Sequence, residues 1–197
     1  ATVDSEGMRT SYAYDSQGRF SSVVTPNGAR TTLQYQSSRT RVVIDPLSNR
    51  TTITLNTNNN IESILDPQGK RATFTWDGNQ ITSAIDGQGN QANYLYSEST
   101  TRNKVLTAAV NPMGERTTYI YESGTKVKAI ISPLGDRTSF VWNAAGQRIA
   151  RIDSAGARTS FTYDTNGLLK STTNPLGNTT TNVYDGEGNR VAVIDPL

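Results

Sequence analysis

Apolar and polar residues alternate with period two in runs of about six, and each run ends at a cluster of Asp, Asn, Ser, Gly or Pro. That pattern predicts short β-strands joined by tight turns. A turn-like tetrapeptide ending in Gly or its replacement recurs at Asp4, Thr25, Asp45, Asp66, Asp86, Asn111, Ser132, Asp153, Asn174 and Asp195, at spacings of 21, 20, 21, 20, 25, 21, 21, 21 and 21 residues. Self-similarity at this period defines a repeat architecture. Residues 1–197 therefore read as a single array of about nine units, starting near 4, 25, 45, 66, 86, 111, 132, 153 and 174, with the opening of a tenth. The unit from Asp86 is the irregular one, and its extra residues, within Ser97 to Asn103, read as a longer surface loop.

All seven prolines (Pro26, Pro46, Pro67, Pro112, Pro133, Pro175 and Pro196) occupy the second position of a unit. Wherever the chain continues far enough, Gly or, once, Ser48 follows two residues later. In Asp/Asn/Ser-Pro-x-Gly the first side chain bonds the backbone ahead, Pro fixes φ, and Gly accepts the exit geometry. About ten residues on, several units carry a second turn: Asp15 to Gly18, Asn143 to Gly146, Asp164 to Gly167 and Asp185 to Gly188. Two turns per unit imply two strands per unit, hence a hairpin.

In the first strand of each unit one face holds paired columns: Tyr12/Tyr14, Leu33/Tyr35, Ile53/Leu55, Phe74/Trp76, Tyr94/Tyr96, Tyr119/Tyr121, Phe140/Trp142, Phe161/Tyr163 and Asn182/Tyr184. These columns hold 14 of the 15 aromatic residues, so the aromatic face is a property of one strand type. The second strand ends on an apolar residue in eight of nine units, and two positions earlier sits a small column: Ser22, Ser63, Ser83, Ala108, Ala129, Ala150, Ser171 and Ala192, with Val42 the exception. Large residues beside small ones let adjacent strands interlock. The opposite face of the first strand begins with an Arg column (Arg9, Arg30, Arg50, Arg71, Arg116, Arg137, Arg158), a wetter face near the turn.

Composition agrees with a thin structure. Hydrophobic residues are 34%, below the roughly 45–50% (Gly included) usual for globular domains, while Thr, Ser and Asn fill 63 of 197 positions. With no Cys and no His there is no disulfide, thiolate metal site or imidazole base, which removes most hydrolase and metalloenzyme classes. A net charge of +2 is too balanced for a nucleic-acid binder, and no apolar run is long enough to span a membrane as a helix. The first residues, Ala-Thr-Val-Asp-Ser, show no signal peptide, which does not by itself place the protein in a cell.

Eighteen antiparallel strands about 4.8 Å apart would give a ribbon on the order of 85 Å long and 20 Å wide. Strand twist of roughly 20° accumulates, so the expected fold is all-β: tandem hairpin repeats of about 21 residues forming a long, curled antiparallel strip. Neighbour-to-neighbour contacts would stabilise it. Neither end reads as a capping unit, so the expectation is a fragment of a longer array with open edges that favour edge-to-edge self-association. A two-sided parallel solenoid has the same period and is separated from the strip only by strand pairing.

Tyr14-Asp15-Ser-Gln-Gly18, Tyr163-Asp164-Thr-Asn-Gly167 and Tyr184-Asp185-Gly-Glu-Gly188, with Trp76-Asp77 as a variant, resemble the Rhs or YD repeat, named for its Tyr-Asp pair. Literal Tyr-Asp occurs in three units, and the middle of the array diverges. The resemblance implies a hairpin strip spiralling into a hollow shell, as in Rhs toxins, the shell proteins of insecticidal toxin complexes, and teneurins. In bacterial members such a shell encloses a C-terminal toxin. The patterned self-cleavage segment and variable toxin that follow the repeats in those members are not found in these residues.

The resulting expectation is a non-enzymatic structural segment of a secreted or cell-surface protein, bacterial in origin, whose repeat positions Tyr14, Asp15, Gly18, Trp76, Asp77, Trp142, Tyr163, Asp164, Gly167, Tyr184, Asp185 and Gly188 set hairpin geometry. No catalytic residue, metal or cofactor is expected. Expected partners are neighbouring repeats and an enclosed toxin or other polypeptide. The rival is a glycan-binding, adhesive array gaining affinity from repeated weak sites, with Trp76 and Trp142 as stacking faces. Nucleic acid is not expected, because the Arg column lies opposite the aromatics of its own strand, which separates phosphate contact from base stacking. Asp185, Glu187 and Asn189 faintly resemble a calcium loop, but Arg190 stands where that loop needs Gly. Carboxylate pairs for glycoside hydrolysis are set by folding, and every acidic candidate here fits a turn. Asn49-Arg-Thr51 and Asn178-Thr-Thr180 fit the glycosylation sequon, a frequent accident in so Asn- and Thr-rich a chain.

Overall fold

The computed structural model describes residues 1–98 and 104–196. The strands are β1 (Thr2–Val3), β2 (Arg9–Tyr14), β3 (Phe20–Val24), β4 (Arg30–Tyr35), β5 (Thr40–Ile44), β6 (Arg50–Leu55), β7 (Ile61–Leu65), β8 (Arg71–Asp77), β9 (Gln80–Ile85), β10 (Gln91–Glu98), β11 (Lys104–Val110), β12 (Arg116–Tyr121), β13 (Val127–Ile131), β14 (Arg137–Trp142), β15 (Arg148–Ile152), β16 (Arg158–Tyr163), β17 (Leu169–Thr173), β18 (Thr179–Tyr184) and β19 (Arg190–Ile194). Pairing is antiparallel between consecutive strands, from β1 with β2 in the first unit to β18 with β19 in the last. This pairing decides for the hairpin strip and against a parallel solenoid. The chain divides into two compact units, Ala1–Tyr94 and Leu95–Leu197.

The turns form as their residues dictate. At Asp66 the backbone N–H donates to the Lys70 carbonyl (2.9 Å) and Gly69 N–H donates back to the Asp66 carbonyl (3.1 Å). The Asp66 carboxylate accepts from Gln68 and Lys70 N–H groups at 2.9 and 2.8 Å. The second turns repeat this scaffold: Asp164 accepts from Asn166 and Leu168 N–H groups at 2.9 and 2.8 Å. Gly at the fourth position takes φ near +80°, and where it is replaced Ser48 and Asn59 are forced to φ of +66° and +64°. Asn56 opens a turn of the same kind, closed by bonds from Asn58 and Asn60 N–H groups. It escapes a search for Gly because Asn59 supplies the left-handed residue instead.

The irregular unit extends differently from a bare loop. Ser97 and Glu98 belong to β10, which has eight residues, and β11 has seven. The rest of the expected loop, residues 99–103, lies outside the described residues, as does Leu197.

Register sorts the two faces. Residues directly opposite across an antiparallel ladder share a face. Ala129 pairs with Ser139 on one side and Ile120 on the other, and Ile131 pairs with Arg137. The small column therefore shares its face with the Arg column, while the aromatic columns stand on the other face, where Tyr12 is opposite Val23 and Tyr119 opposite Ile130. The deepest burial is at the small positions: Ala108, Ala129 and Ala150 are fully buried, and Ser22, Val42 and Ser63 nearly so. Arg side chains cover this row. Arg71 donates to the Ser63 hydroxyl (2.8 Å), while Arg137 and Arg158 donate to Ser139 and Ser160 (3.1 Å each).

Candidate functional site

The residues that define each unit converge at the junction between hairpins. Among the described residues a β-bulge falls at the second member of the column pair in seven units, for instance between Val141 and Trp142 and between Thr162 and Tyr163. Across the other turn the ladder is short: β15 and β16 pair only from Ile152/Arg158 to Ala150/Ser160. The carbonyl at the start of the second strand therefore has no ladder partner on that side.

The next unit's aromatic tip fills the place. Trp76 Nε1 donates to the Ile61 carbonyl (2.7 Å), Tyr121 Oη to Leu106 (2.9 Å), Trp142 Nε1 to Val127 (2.8 Å), Tyr163 Oη to Arg148 (2.9 Å) and Tyr184 Oη to Leu169 (2.9 Å). Donor and acceptor are 15 residues apart in every case. Tyr and Trp suit this position because each combines a large apolar body with a polar tip. Tyr14, whose acceptor at the same offset would precede residue 1, is 64% exposed. Tyr35 departs from the pattern: its ladder has no bulge, and its ring lies between the guanidinium groups of Arg19 (3.9 Å) and Arg41 (4.7 Å).

The structure places Asp15, Asp164 and Asp185 at the first turn position directly after these tips, and Gly18, Gly167 and Gly188 at the left-handed fourth position. Asp15 also forms an ion pair with Arg19 (2.7 Å). Hydrogen bonds hold several turn carboxylates below their ordinary pKa. The Arg19 backbone N–H is the first cause at Asp15, and the side chains of Asn49, Asn90 and Asn189 are first at Asp45, Asp86 and Asp185. Asp77 is different. It pairs with Gln80 across a two-residue Gly78-Asn79 loop, so Trp76-Asp77 shares the aromatic tip of the repeat but not its turn.

Trp76 and Trp142 occupy equivalent positions in different units, each half-buried with its N–H committed to backbone. Two shallow hollows, of about 320 and 340 Å³, lie against Val105, Tyr119 and Tyr121 and against Ile64, Ala72 and Asp86. Burial beside the first raises the Tyr121 phenol pKa, with Tyr119 adding to it. No group of three or more acidic residues able to hold a metal occurs among the described residues.

A single sheet of tandem hairpins, five of them tied to their predecessors by an aromatic tip, defines a structural β-hairpin repeat protein. The RHS Repeat family model matches residues 142–179 and 163–197, the C-terminal part of the array. No curated protein matches it in sequence. Among solved structures it is similar to a TcdB2-TccC3-TEV crystal structure, at 15% identity and TM-score 0.65, covering 95% of this chain and 11% of that one. It is also similar to a TcdB2-TccC3-Cdc42 crystal structure, at 11% identity and TM-score 0.55, covering 98% of this chain and 15% of that one. The likeness is one of fold, and this chain spans a small fraction of either protein's length.

Proposed function

We propose that the chain is a stretch of wall: a non-enzymatic segment of an Rhs/YD-type shell that encapsulates or scaffolds another part of a large secreted or surface protein of bacterial origin. The observation that carries this reading is the junction, where in five units the aromatic tip is spent on the backbone of the repeat before it. Its defining chemistry thus serves continuity of the sheet. The match to RHS repeats and the fold shared with TcdB2-TccC3 structures support the same role. In this reading the partners are further repeats of the parent array and a polypeptide held behind the wall.

Small-angle X-ray scattering with in-line light scattering on the 197-residue chain tests it. The expected result is an elongated, strip-like particle. A compact particle near the roughly 16 Å radius of gyration of a packed domain this size would overturn the wall reading. Saturable binding on a glycan array, tighter for a polymer than for its monomer and lost on replacing Trp76 and Trp142, would favour the adhesive alternative.

A further inference from the structure

The aromatic face of β13 to β17 carries a second kind of arginine. At the position opposite the first aromatic, the units hold Val23, Val43, Ile64, Ala84, Ala109, Ile130, Thr172 and Val193, but β15 holds Arg151. Arg151 pairs with Phe140 on one side and Thr159 on the other, so it stands on the aromatic face. Three residues earlier, where the neighbouring units have Val127 and Leu169, stands Arg148. Its guanidinium lies 5.6 Å from the Phe140 ring centre and 5.0 Å from that of Phe161.

Alternation places Lys128 and Lys170 on the same face, two residues before Ile130 and Thr172. All four cations are exposed, and none of the five strands contains a carboxylate.

These arginines differ from those of the other face in what they hold. Arg71, Arg116, Arg137 and Arg158 donate to Ser or Thr hydroxyls. Among the described residues, the guanidinium donors of Arg148 and Arg151 have no hydrogen bond or ion pair to protein. A guanidinium seated over ring faces, with its N–H groups unbonded, is free to meet a carboxylate fork. Cations on alternate strands are about 10 Å apart, as are Arg148 and Arg151 along β15, the span of three residues of extended chain. We propose that this patch binds an acidic, extended polypeptide segment, whose carboxylates reach Arg148, Arg151 and the flanking lysines while its other side chains lie on the apolar sheet between them.

Two observations favour a peptide over other polyanions. Arg148 lies over the Phe140 and Phe161 rings, which takes those two faces from a sugar or a base. Four well-spaced cations are also too few for the dense phosphates of nucleic acid. The proposal rests on this face alone and holds whether or not the parent protein forms a shell.

Fluorescence anisotropy of a labelled oligoglutamate peptide titrated with the intact chain tests it. Saturable binding that weakens with salt is expected, reduced at least about tenfold in R148Q/R151Q and less in K128Q/K170Q. R137Q/R158Q, which removes the same charge from the opposite face, is expected to stay within about twofold of wild type, with circular dichroism confirming that each variant is folded. Equal losses in the two arginine pairs would reduce the effect to net charge and overturn the site. No saturable binding, or tighter binding of oligothymidylate or polygalacturonate than of oligoglutamate, would overturn it as well.

Discussion

The Asp45 carboxylate accepts from the Leu47 and Asn49 backbone N–H groups and from the Asn49 side chain, all at 2.9 Å. Asp86 and Asp185 receive the same three kinds of bond, and all three carboxylates have folded pKa values below their ordinary value of 3.8. A depressed folded pKa means that the unfolded chain binds protons first as pH falls. The stabilisation is therefore complete above the ordinary value and disappears as pH drops through the lower folded one. The thermal unfolding temperature is expected to be flat from about pH 7 to 5 and to fall below about pH 4. The triple variant D45N/D86N/D185N keeps a turn former already used at Asn111 and Asn174, and should show a shallower acid limb. An unchanged limb would mean that acid sensitivity arises elsewhere. These turns were legible in the sequence because Asp, Pro and Gly act locally. Asn56 and Asn59 show the limit of that legibility, since one left-handed Asn carries the signal that Gly carries elsewhere.

At the scale of a hairpin, period-two alternation foretold the strands and placed arginines and aromatics on opposite faces. It did not reveal that the small column sits with the arginines, because the bulge before residues such as Trp142 and Tyr163 shifts register after the turn. Nor did it reveal the aromatic tip's acceptor. A bond spanning 15 residues joins different hairpins, and alternation within one strand carries no information about it. Tyr163→Phe keeps the ring and removes only the donor, leaving the Arg148 carbonyl short of a partner. A loss of about 1 kcal/mol in chemical denaturation is expected, and a smaller one for Tyr184→Phe, because the Leu169 carbonyl keeps the Asn182 side-chain amide at 2.9 Å. Tyr14→Phe, which removes a hydroxyl with no acceptor at that offset, should fall within about 0.5 kcal/mol of wild type. Equal losses at all three positions would show that the hydroxyl matters for something other than the junction. The unusual residues of β15 were visible in the sequence as letters, yet their significance needed the register that sets Arg151 beside Phe140.

For the molecule as a whole, stability is a sum of hairpins and junctions rather than the property of one thick core. Removing residues 153–173, a full period of 21, takes out β16 and β17 and brings β18 beside β15 with the same kinds of turn on either side. The shortened chain should keep its β circular dichroism and unfold cooperatively. Removing only residues 153–163 deletes one strand, reverses the direction of everything after it and should abolish ordered structure in the remainder. If both deletions behave alike, the repeat is not the unit of folding.

The junction bonds also give the array a direction. In each of the five, the donor belongs to the later hairpin and the acceptor to the earlier one. As a chain emerges from the ribosome or from an export channel, each of these five hairpins finds its docking carbonyl already laid down by the one before. Growth can then proceed tile by tile from the N-terminus, and each addition covers the strand edge that the previous hairpin left open to misassembly.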